Sequence, residues 1–265
     1  MKIKVRDITM FYEDHGQGIP VLFVHGYPLN QKIWQPQIEG LSDIVRIITP
    51  DLRGHGESQA SEREYSMDLF AEDCAALLDA IPITQKIVLC GLSMGGYVSF
   101  AFLRKYSSRL AGLILTATRA SPDSETVKQN REKAITQVQS EGVNKVIDNM
   151  LPKLLSPLSM AHNPALVNQV REIMQSVSSQ GYIGDLTGMK NRPDSTPLLP
   201  TINIPTLLIF GDQDEIISID EAKRLDSLIP DSRLEIINGA GHLLNLEKPE
   251  EFNTIVRDFL TKKII

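Results

Sequence analysis

The pentapeptide Gly91-Leu92-Ser93-Met94-Gly95 constrains this chain more than any other feature. It sits between the apolar run Lys86-Ile87-Val88-Leu89-Cys90 and the helix-forming run Gly96-Tyr97-Val98-Ser99-Phe100-Ala101-Phe102. A strand must therefore turn into a helix within a few residues. A serine at the apex of so tight a turn is held in a strained backbone conformation. The residues two places either side approach each other so closely that a Cβ would clash, which calls for glycine. The strain lifts the Ser93 hydroxyl off the sheet. The helix that follows aims its N-terminus, with its unpaired N–H groups, at the same place.

Strands and helices alternate along the rest of the chain. Residues 2–14 read as an edge hairpin with Asp7 near its turn. Short β-branched runs follow at 21–24, 45–49, 87–90, 113–117, 206–210 and 233–237. Runs of this kind suit buried parallel strands. Helical runs fall at 66–80, with Ser66 as N-cap, and at 96–106, 219–229 and 249–262. The alternation predicts an α/β fold, a mostly parallel sheet flanked by helices on both faces. The rhythm breaks between Arg119 and Thr196, where no strand signal occurs. Ser121-Pro122 reads as an N-cap with proline at the first helical position, and Gly142 closes that helix. Further helices fit 143–151, a segment opened by Asn163-Pro164, and 179–190.

Composition excludes several classes of partner. The chain has 265 residues, enough for one large domain without staples, and a net charge of −6. That charge, with a pI near 5.4, argues against nucleic acid and anionic membranes. The two cysteines, Cys74 and Cys90, give no disulfide framework and point to a reducing compartment. No apolar leader or membrane-length run is present, so a cytoplasmic location is expected. No His/Cys pair has zinc-ligand spacing, so neither a metal nor another cofactor is expected. No sequence signal fixes an oligomeric state.

A serine hydroxyl is a weak nucleophile that needs a base, and the base needs an orienter. His242 lies in Asn238-Gly239-Ala240-Gly241-His242, just past the strand-like Leu234–Ile237, on a glycine-flanked loop able to reach over the sheet. His162 has no strand before it. The strand ending at Phe210 runs into Gly211-Asp212-Gln213-Asp214-Glu215. Asp212 is placed to serve the turn, and Glu215 leads into the next helix. Spacing favours Asp214 as orienter and leaves the other two as alternatives.

Taken together, His25-Gly26-Tyr27-Pro28, Asp51-Leu52-Arg53-Gly54-His55-Gly56-Glu57-Ser58, Gly91–Gly96, Gly211-x-x-Asp214 and Gly239–His242 make the chain resemble the serine α/β-hydrolases. Within them it is most similar to the branch of small carboxylesterases, 3-oxoadipate enol-lactonases and cofactor-free perhydrolases. The resemblance implies an eight-stranded sheet with a helical cap inserted after the sixth strand. The core would comprise residues 1–118 and 197–265, and the cap 119–196. The family's chain order, serine then acid then histidine, implies Ser93 as nucleophile, Asp214 as acid and His242 as base. His25 precedes Ser93 and on this order serves its loop. The oxyanion hole would be the backbone N–H groups of Met94 and Tyr27. Dehalogenases and epoxide hydrolases carry Asp at the apex of this strand-to-helix turn, the elbow, so Ser93 speaks against both.

The expected activity is hydrolysis of carboxylic esters of short to medium acyl chains, since the cap is moderately apolar and too short for a large lipid lid. Lactone hydrolysis and perhydrolysis are the enzymatic alternatives, and a hydrolase-like ligand-binding protein is the non-enzymatic one. The partner is a small-molecule ester or lactone. Trp34 is a candidate wall of the acyl pocket. Arg119 is a candidate partner for a substrate carboxylate. Asp51, Arg53 and His55 read as a structural network. The charges at Lys128, Arg131, Glu132 and Lys133 read as a solvated cap face.

Overall fold

A computed structural model describes residues 1–61 and 64–265. Its eight strands are β1 (Lys2–Val5), β2 (Ile8–His15), β3 (Pro20–Val24), β4 (Arg46–Pro50), β5 (Ile87–Leu92), β6 (Leu110–Thr116), β7 (Thr206–Gly211) and β8 (Ser232–Ile237). They form one sheet in the order β1-β2-β4-β3-β5-β6-β7-β8. Strand β2 runs against both of its neighbours, and every other pairing is parallel. The strands β3, β5 and β7 are buried from end to end, as their unbroken apolar runs require.

Helices α1 (Gln35–Leu41), α2 (Met67–Ala80) and α3 (Met94–Tyr106) lie between the early strands. Helices α2 and α3 pack on each other, α2 against β1 and α3 against β5. The Ser66 hydroxyl caps α2 by accepting the Leu69 N–H at 3.1 Å. Between β6 and β7 come five helices: α4 (Glu125–Glu141), α5 (Val143–Leu154), α6 (Pro157–His162), α7 (Pro164–Gln175) and α8 (Ser179–Asn191). After them come α9 (Ile219–Leu228), the single turn α10 (Leu244–Glu247) and α11 (Pro249–Lys263), which packs on α1, β7 and β8.

The insertion departs from the sequence reading in two places. The first helix is not capped by Ser121. It starts at Glu125, and Ser124 is the cap. Residues before it stay out of the helix, and Asp123 is buried there among arginines. The second departure is α6, a six-residue helix opened by the Ser156 cap and Pro157. It is too short to show a periodic stripe, although its Ser-Pro signal is in the sequence. With it the insertion holds five helices rather than four.

The carboxyl ends of parallel strands in an open α/β sheet are where ligands bind. Loops from the ends of β3, β5, β7 and β8 carry Tyr27, Ser93, Asp214 and His242 respectively.

Candidate active site

Ser93 has φ 55° and ψ −111°. This is left-handed backbone at a residue with a side chain, stored where the surrounding structure over-determines it. The elbow is pinned from both sides of its peptide. The Ser93 N–H donates to Thr116 O at 2.8 Å, and Thr118 Oγ1 donates to Ser93 O at 2.8 Å. The two flanking glycines are required by close approach. A Cβ on Gly91 would overlap Gly95 O and Ser99 Oγ, and one on Gly95 would overlap Val24 O. Ser93 itself is partly exposed.

The Met94 amide opens α3, so it has no intrahelical acceptor. The loop after β3 brings Tyr27 alongside. Gly26 packs so close to the elbow that a Cβ there would lie 3.1 Å from Ser93 Cβ. Leu29 N–H donates back to Gly26 O at 3.0 Å and closes the turn. His25 fastens the same loop. Its Nδ1 pairs with Gly26 O at 2.9 Å, and its Nε2 accepts the Leu52 N–H at 3.0 Å. Burial, and then the neighbouring His55, push the His25 imidazole well below the usual histidine range. His25 is thus a neutral structural histidine.

Of the three competing acids, Asp214 meets the histidine. Its Oδ2 lies 2.8 Å from His242 Nδ1. Its Oδ1 accepts the N–H groups of Ile216 and Ile217 at 2.7 and 3.0 Å. Asp212 serves the turn instead, accepting the Gly239 N–H at 2.6 Å. Glu215 is exposed. The side chains of His242 and Asp214 are buried, and His242 Nε2 has no hydrogen-bond partner. The His242 loop is tied to the insertion. Glu247 accepts the Gly241 N–H at 2.7 Å and the Ser156 N–H at 2.9 Å, and Leu243 N–H donates to Leu154 O at 3.0 Å.

A cavity of about 700 Å³ lies between the insertion and these loops. Its core-side walls are Tyr27 from the loop after β3, Tyr97 from α3, and Ile216 and Ile217 just beyond Asp214. Ser93 and His242 are not themselves among its walls. Arg119 and Arg131 are. Trp34 is not a wall. It is fully buried against Phe23 and Phe252, with ring centroids 5.0 and 6.4 Å away. Its apolar bulk is taken up by the core behind the loop, which corrects the pocket assignment. Arg131 is also not part of a solvated face, since it ion-pairs with buried Asp123 and faces the cavity.

The polar loop after β4 is structural throughout. Asp51 accepts backbone N–H groups of Gln31 and Glu57. Arg53 is buried against Asp73 at 2.7 Å. His55 reaches into the insertion and meets Asp185 of α8 at 2.8 Å, both side chains fully buried. Nothing in the local sequence marks Asp185, whose partner His55 is brought to it by the tertiary fold; Asp123 has Arg119 and Arg131 nearby in sequence, and the fold adds the remote Arg192.

A family model described as the alpha/beta hydrolase fold matches residues 19–249. The chain belongs to that family. The hydrolase is 42% identical in sequence to a thermophilic esterase from Thermogutta terrifontis, solved with malate bound. The two structures superpose with a TM-score of 0.95, over 99% of this chain and 98% of that one. An enol-lactonase from Burkholderia xenovorans LB400 is 26% identical with a TM-score of 0.92, over 99% and 100% of the two chains. The 3-oxoadipate enol-lactonase 2 of Acinetobacter baylyi is 28% identical over 96% of this chain and 94% of its own. A non-heme chloroperoxidase of Kitasatospora aureofaciens is also 28% identical, over 96% and 97%. No helix among the described residues is long and apolar enough to cross a membrane.

Proposed function

We propose that this hydrolase cleaves carboxylic esters of short to medium acyl chains through an acyl-enzyme on Ser93. The observation that carries the reading is the buried His242, held at Nδ1 by Asp214 and left without a partner at Nε2. Asp214 keeps the proton on Nδ1, so Nε2 is the basic nitrogen. In the substrate complex Ser93 Oγ closes on Nε2, as such bonds tighten on binding. His242 takes the serine proton while Oγ attacks the ester carbon. The resulting oxyanion accepts the Met94 and Tyr27 amides. The imidazolium returns its proton to the departing alcohol. Water, deprotonated by His242, then releases the acid.

Residues 119–196 act in this reading as a cap that encloses the acyl group, over a core of 1–118 and 197–265. Lactones enter the same cycle, and hydrogen peroxide in place of water would give a peracid. The enzyme needs no metal or other cofactor for any of these steps. The buried free thiols Cys74 and Cys90 fit a reducing, cytoplasmic setting. Steady-state kinetics on nitrophenyl esters from acetate to palmitate test the reading. Turnover should peak at short or medium acyl length. Absence of turnover on every ester would favour a ligand-binding role.

A further inference from the structure

The cavity beside the elbow carries an unbalanced charge. Arg119, Arg131, Lys133 and Lys153 all contribute to its walls, and among the described residues no Asp or Glu does. The chain as a whole is acidic, with net charge −6, so composition does not account for such a lining.

The arrangement is built from below. Asp123 is fully buried and receives three guanidiniums. Arg119 Nη2 donates at 2.8 Å, Arg192 Nη1 pairs at 2.7 Å, and Arg131 Nε pairs on the other oxygen. One carboxylate against three arginines leaves a formal surplus of two positive charges. Burial alone would raise the Asp123 carboxyl, but Arg131 and Arg192 overrule it and hold it below the usual range. Asp123 therefore stays ionised and acts as an anchor that orients the guanidiniums without neutralising them. Arg192 is otherwise committed, donating to Met189 O and Ser121 O at 2.8 Å and lying over the Tyr97 ring at 4.0 Å. Arg119 and Arg131 are the two that face the cavity. Arg119 Nε is buried with no partner. The Tyr27 hydroxyl, on another wall of the same cavity, is also buried and unpartnered.

Guanidinium forks match carboxylates in geometry as well as charge. Tyr97, another wall, follows Ser93 by one turn of α3, about 6 Å along the helix axis. We propose that this cavity takes an acyl group ending in a free carboxylate, read by Arg119 and Arg131 while Ser93 attacks the ester at the other end. The inference rests on the ester-hydrolase reading and names its substrate class: half-esters of short dicarboxylic acids. Arg119 comes from the segment after β6 and Arg131 from α4, both within the insertion.

The experiment compares kcat/KM for mono-4-nitrophenyl glutarate with that for 4-nitrophenyl 5-methylhexanoate, which replaces the carboxylate by an uncharged group of similar shape. Wild type should prefer the charged ester. That preference should fall roughly 10- to 100-fold in Arg131→Gln and in Arg119→Gln, the range for a lost hydrogen bond to a charged group. Arg131→Lys should retain part of it, and 1 M salt should weaken it in wild type. A wild-type preference for the neutral ester, or a ratio unchanged in both variants, overturns the proposal while leaving ester hydrolysis intact. Calorimetry of glutarate with Ser93→Ala separates the two readings. Binding that weakens in Arg131→Gln, with no ester turned over by wild type, would sustain the anion site and reject the esterase. Absence of binding to Ser93→Ala counts against the anion site.

Discussion

Replacing Asp214 by asparagine should cost about ten-thousandfold in kcat, and the geometry says why an isosteric change is so damaging. Oδ1 of Asp214 accepts two backbone amides, from Ile216 and Ile217. In the asparagine variant those amides select the carbonyl oxygen for that side. The opposite orientation would set an NH2 group against two N–H donors. The amide nitrogen is thereby forced to the Oδ2 position, 2.8 Å from His242 Nδ1. It donates there, so Nδ1 becomes the acceptor and the imidazole proton moves to Nε2. That nitrogen can no longer take a proton from Ser93. A ten-thousandfold loss corresponds to about 5.4 kcal/mol of transition-state stabilisation. Asp212→Asn is the control. Its carbonyl can still accept the Gly239 N–H, so activity should stay within about threefold of wild type. The assay is hydrolysis of 4-nitrophenyl butyrate, with circular dichroism melts to show that both variants fold. Equal losses in the two variants, or an Asp214→Asn enzyme within tenfold of wild type, would refute the assignment.

Other outcomes follow from the same geometry. Ser93→Ala should lower kcat on the order of a millionfold, and a clean preparation retaining a few per cent activity would contradict its role. Among linear nitrophenyl esters, kcat/KM should be higher for butyrate than for palmitate, because a cavity of about 700 Å³ is of a size for a small ligand; a palmitate preference would overturn that. Trp34→Ala should cost roughly 3–5 kcal/mol of stability, read by denaturant melts, and should not change acyl-chain preference as a pocket wall would. His25 supplies a pH signature. Its folded pKa is depressed, so the unfolded chain takes up a proton near pH 6.5 that the fold refuses. The stability gap between wild type and His25→Gln should therefore narrow as pH falls below about 6.5, by up to ~1.4 kcal/mol per pH unit. A gap constant from pH 7 to pH 5 would show that His25 is not held neutral.

The central strands β3, β5 and β7 were legible because each is a short buried apolar run between turn-forming residues, whereas β8 at the edge is mostly half-buried. The end of β7 and the glycines around Ser93 follow from local stereochemistry alone. Spacing favours Asp214 but leaves Asp212 open, and it is the resemblance to the α/β-hydrolases that selects Asp214; in the structure Asp214 meets His242 and Asp212 serves the turn. What stayed hidden depends on contacts remote in sequence. Ser121-Pro122 lies outside α4, where Arg192, about seventy residues on, pairs with Asp123 and donates to Ser121 O. Arg131 lies in a run of charges indistinguishable from a solvated helix face until Asp123 and the cavity are placed beneath it. Trp34 follows the Tyr27 loop in sequence, yet its ring turns inward to Phe23 and Phe252. A lone aromatic gives no local signal for which of two adjacent spaces it fills.

A covalent intermediate on Ser93 can be trapped by a phosphonate that mimics the tetrahedral stage of ester attack. Wild-type enzyme treated with a 4-nitrophenyl alkylphosphonate should release one equivalent of nitrophenol and lose esterase activity. Peptide mass spectrometry should then place a single phosphonyl group on the peptide carrying Gly91–Gly95, at Ser93, with none formed in Ser93→Ala. Stoichiometric loss of activity with the group on another residue, or unchanged labelling of Ser93→Ala, would contradict the account.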